Sequence, residues 1–223
     1  MLIIFDLDDT LIDTSGCITP KKLENAFHKM VLAGLNVKDA TKSLEILHRL
    51  DESASSAKEA LSEFLEINGA KPGLMEIALA EVYDTDSDGV AVFPLNGALE
   101  LLAELKEKHL LAMVTVGKRD LQLEKMKKAG IEPALFSKII ASEDRNKKPH
   151  YAALMEELGI APPDILVCGD KVHIDLKPAR ELGFTTVHMR WGRGRRAIGE
   201  MSDVDYTISS ITEIKEILNK INT

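Results

Sequence analysis

Cysteine is nearly absent: Cys17 and Cys168 are the only two in 223 residues, and they form no CxxC pair. Such usage argues against a disulfide-built scaffold and fits a reducing, cytoplasmic setting. Positive charge is also in deficit. The formal net charge is -8, so nothing in the bulk composition points to nucleic acid or an anionic membrane as a partner. Long apolar runs are missing too, and no stretch approaches the roughly 18 residues of a membrane span. The N-terminal run MLIIF is cut by Asp6 and lacks a basic start, so no secretory signal is expected. Internal repeats and low-complexity tracts are absent.

What is present is an ordinary globular mixture, 45% hydrophobic and 29% charged. The length suits one large α/β domain, or a core carrying a smaller insertion. An acidic protein of this kind that bound a small anion would need a local positive site, built from a cation or a few lysines.

The pattern along the chain supports the second arrangement. Leu2 to Phe5 is a dense apolar run of the kind that forms a buried strand. From Thr19 to about Tyr83 the spacing turns helical. Thr19-Pro20 opens one helix, with Leu23, Ala26, Phe27, Met30 and Val31 at helical spacing. Ser56 and Glu59 form a capping-box pair for a second, which Asn68-Gly69 ends, and Pro72 opens a further one. After Pro94 strands and helices alternate. Strands are expected at Leu110 to Val116, Lys138 to Ala141, Ile165 to Gly169 and Thr185 to Met189. Helices are expected at Asn96 to Lys108, Lys118 to Ala129, Pro149 to Leu158 and Leu176 to Leu182. That alternation predicts an α/β fold with a doubly wound, mainly parallel, Rossmann-like sheet covered on both faces. Residues 1–14 and 90–223 would form the core, and residues 15–89 an all-helical second domain inserted after the first strand.

In such sheets the ligand site lies beyond the carboxyl ends of the strands. Asp6, Asp8 and Thr10 follow the first strand, Thr115 ends the Leu110 strand, and Lys148 opens the Pro149 helix. Gly169, Asp170 and Asp175 follow the Ile165 strand. Four carboxylates gathered on one rim repel each other and stay ionised only with cations among them. Oxygen donors with room for water and phosphate suit Mg²⁺.

These residues, in this order, resemble the four motifs of the haloacid dehalogenase-like superfamily of aspartate-nucleophile phosphotransferases. DxDxT matches Asp6, Asp8 and Thr10; a threonine ending an apolar strand matches Thr115. A lysine before proline matches Lys148-Pro149, with Lys147 its rival, and GDxxxxD matches Gly169, Asp170 and Asp175. The resemblance covers essentially the whole chain, although Val116 stands where Asn or Gly is usual. It implies Asp6 as the nucleophile that takes the phosphoryl group, and Asp8 as acid and then base. Thr115 and the backbone of Val116 would hold phosphoryl oxygens, and Lys148 would steady the charge. Asp6, Asp8 (through its carbonyl), Asp170 and Asp175 would surround Mg²⁺, with Asp175 acting through water or by orienting the lysine.

The resemblance further implies a Mg²⁺-dependent phosphatase acting on a small phosphorylated metabolite, with the helical insertion closing as a cap that selects the substrate. A phosphomutase on the same scaffold is an alternative. So is a 2-haloacid dehalogenase, disfavoured because relatives that displace halide lack the second aspartate that Asp8 supplies.

Other features read as structural. Asp84-Thr85-Asp86-Ser87-Asp88-Gly89 has the front half of a calcium loop but lacks its closing Glu, so a polar hinge is expected. The basic segment Arg190 to Arg196 is expected to be a solvated loop, His150 and His173 surface residues, and Cys168 an inert core thiol.

Overall fold

The structure, a computed structural model, describes residues 1–196, 199 and 201–221. Residues 197, 198, 200, 222 and 223 of the expected core range lie outside those described. The chain divides into two compact units, Met1–Thr14 with Val92–Thr223, and Ser15–Ala91.

The first unit is an α/β sheet structure. Its strands are β1 (Leu2–Phe5), β2 (Leu110–Val116), β3 (Lys138–Ser142), β4 (Ile165–Gly169), β5 (Thr185–Met189) and β6 (Tyr206–Ile208). All pair in parallel, in the order β3-β2-β1-β4-β5-β6. β1 runs through the centre and is buried along its whole length. Leu2 and Ile4 share one core with Ala112, Val114, Ile165 and Val167, while Ile3, Phe5, Leu111, Met113, Leu166 and Cys168 are buried on the alternate positions. A sheet buried on both faces explains why its strands read as continuous apolar runs. Helices α5 (Ala98–Lys106), α6 (Arg119–Lys128), α7 (Lys148–Leu158), the short α8 (Lys177–Arg180) and α9 (Ile214–Ile221) complete the unit.

Several helix starts differ from the sequence expectation by one or two residues, α6 beginning at Arg119 and α7 at Lys148. α5 begins at Ala98 rather than Asn96, because Gly97 at φ 79° turns the chain into it. A wide turn over Val172–Leu176 precedes α8, whose first turn carries Pro178. Proline has no N–H to extend a preceding helix, so the helix forms only beyond that turn. In the second unit the helix expected from Pro72 begins at Leu74. Strand β6 and helix α9 lie beyond the elements that the pattern predicts.

The second unit is all helical: α1 (Thr19–Leu32), α2 (Ala40–Ser53), α3 (Ala57–Ile67) and α4 (Leu74–Tyr83). Ser56 caps α3 by accepting from the Glu59 N–H at 3.2 Å, but the Glu59 carboxylate turns to the N–H of Ser55 instead of Ser56. Leu23, Phe27, Met30, Leu47, Leu61 and Phe64 form its core, with the Phe27 and Phe64 rings edge to face at 6.0 Å. Lys22, only 4% exposed, donates to the carbonyl oxygens of Thr85 (3.0 Å) and Asp86 and to the Thr85 hydroxyl. Its buried ammonium thus ties the Asp84–Gly89 loop down through two backbone carbonyls and a hydroxyl. Among the described residues no helix is long and apolar enough to cross a membrane.

Candidate active site

The site begins where β1 ends. Asp6 extends the sheet by one hydrogen bond, from its N–H to Cys168 O at 2.9 Å. The chain then curls. The N–H groups of Thr10, Leu11 and Ile12 all point to Leu7 O, at 3.3, 2.9 and 3.1 Å. Asp9 takes the left-handed conformation at φ 58°, which aspartate tolerates better than most residues. β1 is flanked by β2 on one side and β4 on the other, and the strand order reverses direction here. That is the crevice where open α/β sheets bind ligands.

Asp6, Asp170 and Asp175 meet in this crevice. Carboxylate oxygens of the three lie within 4.8 Å of one another, and all three residues are buried. Lys147 stands among them. Its Nζ donates to Asp6 Oδ1 at 2.6 Å and to Val114 O at 2.7 Å, and lies 2.6 Å from Asp175 Oδ1. The ammonium has three hydrogens and three acceptors, so it is fully used. Asp175 is held from its other oxygen by the N–H of Lys171, at 2.9 Å. Its side chain lies directly on Gly169, where a Cβ would come within 2.5 Å of Asp175 Oδ2. Only glycine fits between β4 and this carboxylate.

Asp170 is different. It is 1% exposed, and neither carboxylate oxygen has a hydrogen-bond partner. The Lys171 ammonium is 4.0 Å away. Burial, reinforced by Asp175 and Asp6 against the pull of Lys171, pushes the Asp170 carboxyl well above the usual range. Burial likewise raises Asp6 to about 6, although Lys147 works against it. An unpartnered buried carboxylate is costly, and native structures provide it with a hydrogen bond, a counter-charge or a metal. Three converging oxygen donors with a net negative balance fit a small, hard divalent cation such as Mg²⁺.

Asp8 stands apart from that cluster. Its carboxylate accepts from Thr14 Oγ1 at 2.5 Å, from Lys125 Nζ at 2.9 and 3.1 Å, and from Gln122 Nε2 at 3.0 Å. Burial alone would raise its pKa, but the Lys125 charge and these hydrogen bonds hold it far below the ordinary carboxylate range. Its side chain is therefore not one of the grouped metal donors.

Two expectations need correction. The lysine beside Asp6 is Lys147, not Lys148. Lys148 opens α7 with an exposed side chain that pairs with Glu181 at 2.7 Å. Pro149 fixes the first turn of α7, which turns Lys148 out while the cap residue Lys147 turns in. The basic segment is not simply solvated. Gly194 packs against Asp170, Trp191 donates from Nε1 to Asp13 Oδ1 at 2.8 Å, and the Arg195 guanidinium lies 4.9 Å over the Trp191 ring. Thr115 is buried at the end of β2, and the Val116 carbonyl accepts from Gln122. Cys168 is buried, and burial pushes its thiol well up, as for an inert core thiol. Gln122 and Lys125 were not legible as site residues. The available signal is Gln122 four residues before the buried Met126, a polar residue in an apolar register.

The family model described as haloacid dehalogenase-like hydrolase matches residues 3–189. The chain is 30% identical to a glyceraldehyde 3-phosphate phosphatase of Methanocaldococcus jannaschii, over 98% of this chain and 97% of that one. It is 25% identical to the N-acylneuraminate-9-phosphatase of Mus musculus, over 99% and 94% of the two chains. The crystal structure of a predicted phosphoglycolate phosphatase from Haemophilus somnus superposes with a TM-score of 0.71 at 18% identity, covering 97% of each chain. The matched family model spans both strands that carry the clustered aspartates and the helical insertion between β1 and β2, and the chain belongs to the haloacid dehalogenase-like hydrolase family.

Proposed function

We propose that this chain is a Mg²⁺-dependent phosphatase of small phosphomonoesters, phosphorylated sugars and sugar acids foremost, working through a phosphorylated Asp6. One observation carries the reading: Asp6, at the end of the central strand, shares its pocket with the unpartnered Asp170 carboxylate and with the Lys147 ammonium. The names of the two curated relatives support the substrate class.

Asp6 and Asp170 would hold the cation, with Asp175 facing the same space. When bound it supplies positive charge against the phosphoryl oxygens and neutralises the cluster. Asp6 attacks phosphorus as the ester P–O bond breaks, and the electron pair leaves on the ester oxygen. Asp8 gives that oxygen a proton. It later takes one from the water that attacks the phosphoryl-Asp6 phosphorus, which releases inorganic phosphate and restores Asp6. Lys147 keeps Asp6 ionised and in line, and Thr115 with the Val116 backbone receives phosphoryl oxygens. Lys125 holds Asp8 as a carboxylate at rest; an arriving phosphoryl dianion offsets that charge, and Asp8 takes up a proton from solvent before it gives one to the ester oxygen. Asp8 favours phosphate esters over haloacids, because a halide leaves without a proton and an alkoxide does not. Substrate choice is assigned to the helical unit.

The test is phosphate release from para-nitrophenyl phosphate and a panel of phosphorylated sugars, with and without Mg²⁺. Metal-dependent release is expected. Chloride release from a 2-haloacid, with no phosphate from any ester, would sink the reading. Recovery of an isomerised sugar phosphate would assign a mutase.

A further inference from the structure

Gln122 is buried, at 2% exposure, on the inward face of α6. Its Nε2 lies 3.0 Å from Asp8 Oδ2, 2.7 Å from Thr115 Oγ1 and 2.9 Å from Val116 O. A carboxylate and a carbonyl oxygen can only accept, so the amide nitrogen, and not its oxygen, must face them. Two hydrogens then serve three acceptors. Thr115 takes part as an acceptor, which leaves its own hydroxyl hydrogen for another oxygen. Lys125, one turn further along the same helix, grips both oxygens of Asp8. The backbone makes room for this contact. Gly117, at φ 141°, follows Val116, and a Cβ there would lie 3.3 Å from the Gln122 amide. No hydrophobic requirement places a glutamine at this point, since its neighbour on the inward face is Met126.

We propose that Gln122 is a positioning residue that ties the proton-exchanging carboxylate of Asp8 to the phosphoryl-holding turn at Thr115–Val116, with Lys125 as the second arm of the same clamp. The inference rests on the phosphatase reading and deepens it. Gln122 touches neither the ester nor phosphorus. It sets the distance between the group that holds the phosphoryl oxygens and the group that protonates the leaving oxygen. Asp8 can reach the ester oxygen only if both are fixed in one frame, and the amide is the side chain that contacts both.

The role has a consequence that simple loss of structure does not. An aryl ester such as para-nitrophenyl phosphate expels a stable anion and needs little help from Asp8 in the first step. An alkyl ester such as glycerol phosphate expels an alkoxide and needs the proton. Loosening Asp8 therefore costs the alkyl ester more.

The experiment compares wild type, Gln122→Met and Gln122→Glu on both esters with Mg²⁺, after thermal melts have shown that each variant is folded. Met keeps the length without the donors; Glu keeps the shape and places an acceptor against Asp8. Both variants are expected to lose about tenfold or more in kcat/KM, which reports the first phosphoryl transfer, on the alkyl ester beyond any loss on the aryl ester, of the order that a general acid contributes. Equal loss of kcat/KM on the two esters, or no loss on either, would overturn the positioning role while leaving the phosphatase reading intact. A folded wild type inactive on both would overturn the two readings together.

Discussion

The Lys147 ammonium lies 2.6 Å from both Asp6 and Asp175, whereas the next side chain, Lys148, ends 2.7 Å from Glu181 on the surface. Two adjacent lysines thus face opposite environments. Lys147→Met removes the counter-charge of two buried carboxylates and is expected to cost about 3–5 kcal/mol of stability. Its kcat should fall by about 10²–10³, as when a charge-stabilising donor is removed. Lys148→Met should leave the melting temperature and kcat near wild type. A kinetic and thermal comparison of the two variants decides which lysine belongs to the site.

Asp170 has two buried oxygens without hydrogen-bond partners. In EDTA, Asp170→Asn should therefore melt higher than wild type, because it removes a buried carboxyl whose oxygens accept no hydrogen bond and which faces Asp6 and Asp175. With saturating Mg²⁺ the order should reverse. Wild type gains about 2.7 kcal/mol at a metal concentration one hundred times the dissociation constant, and the variant gains little. Scanning calorimetry with and without Mg²⁺ checks both halves.

Gly169 leaves the space into which the Asp175 carboxylate folds. Gly169→Ala sets a methyl 2.5 Å from Asp175 Oδ2. Asp175 must then leave its bonds to Lys147 and the Lys171 N–H. Weakened Mg²⁺ binding by calorimetry and a fall in kcat are expected, even though β4 itself keeps its pairing.

In the helical unit, Lys22 is bonded to the carbonyls of Thr85 and Asp86. Lys22→Met should lower stability by about 2–3 kcal/mol through the acceptors left without their charged donor. Titration of the wild type with calcium should show no binding at this loop, since it lacks the closing Glu and a buried ammonium lies against it.

The sequence carried the strands better than the contacts between distant loops. β1, β2, β4 and β5 begin and end at the expected residues; β1, β2 and β4 are dense apolar runs of the kind a sheet buried on both faces produces, and the more polar β5 follows the glycine that ends its preceding helix. β6 is three residues long, too short to carry a period. The acidic residues of the rim could be found because each follows a strand. Which of Lys147 and Lys148 turns inward depends on the first turn of α7, a matter of one residue that composition does not encode. Gln122 and Lys125 meet Asp8 across more than a hundred residues of chain, and only the folded sheet brings α6 to the loop after β1.

The most direct test of the account is the fate of the phosphoryl group at Asp6. Wild type and Asp6→Asn would be mixed with labelled para-nitrophenyl phosphate and Mg²⁺, quenched in acid during turnover, and digested for mass analysis. The account predicts a phosphoryl group on Asp6 of the wild type, and neither phosphoprotein nor turnover in Asp6→Asn. Turnover that survives in Asp6→Asn, or a phosphoryl group found on any other residue, would contradict it.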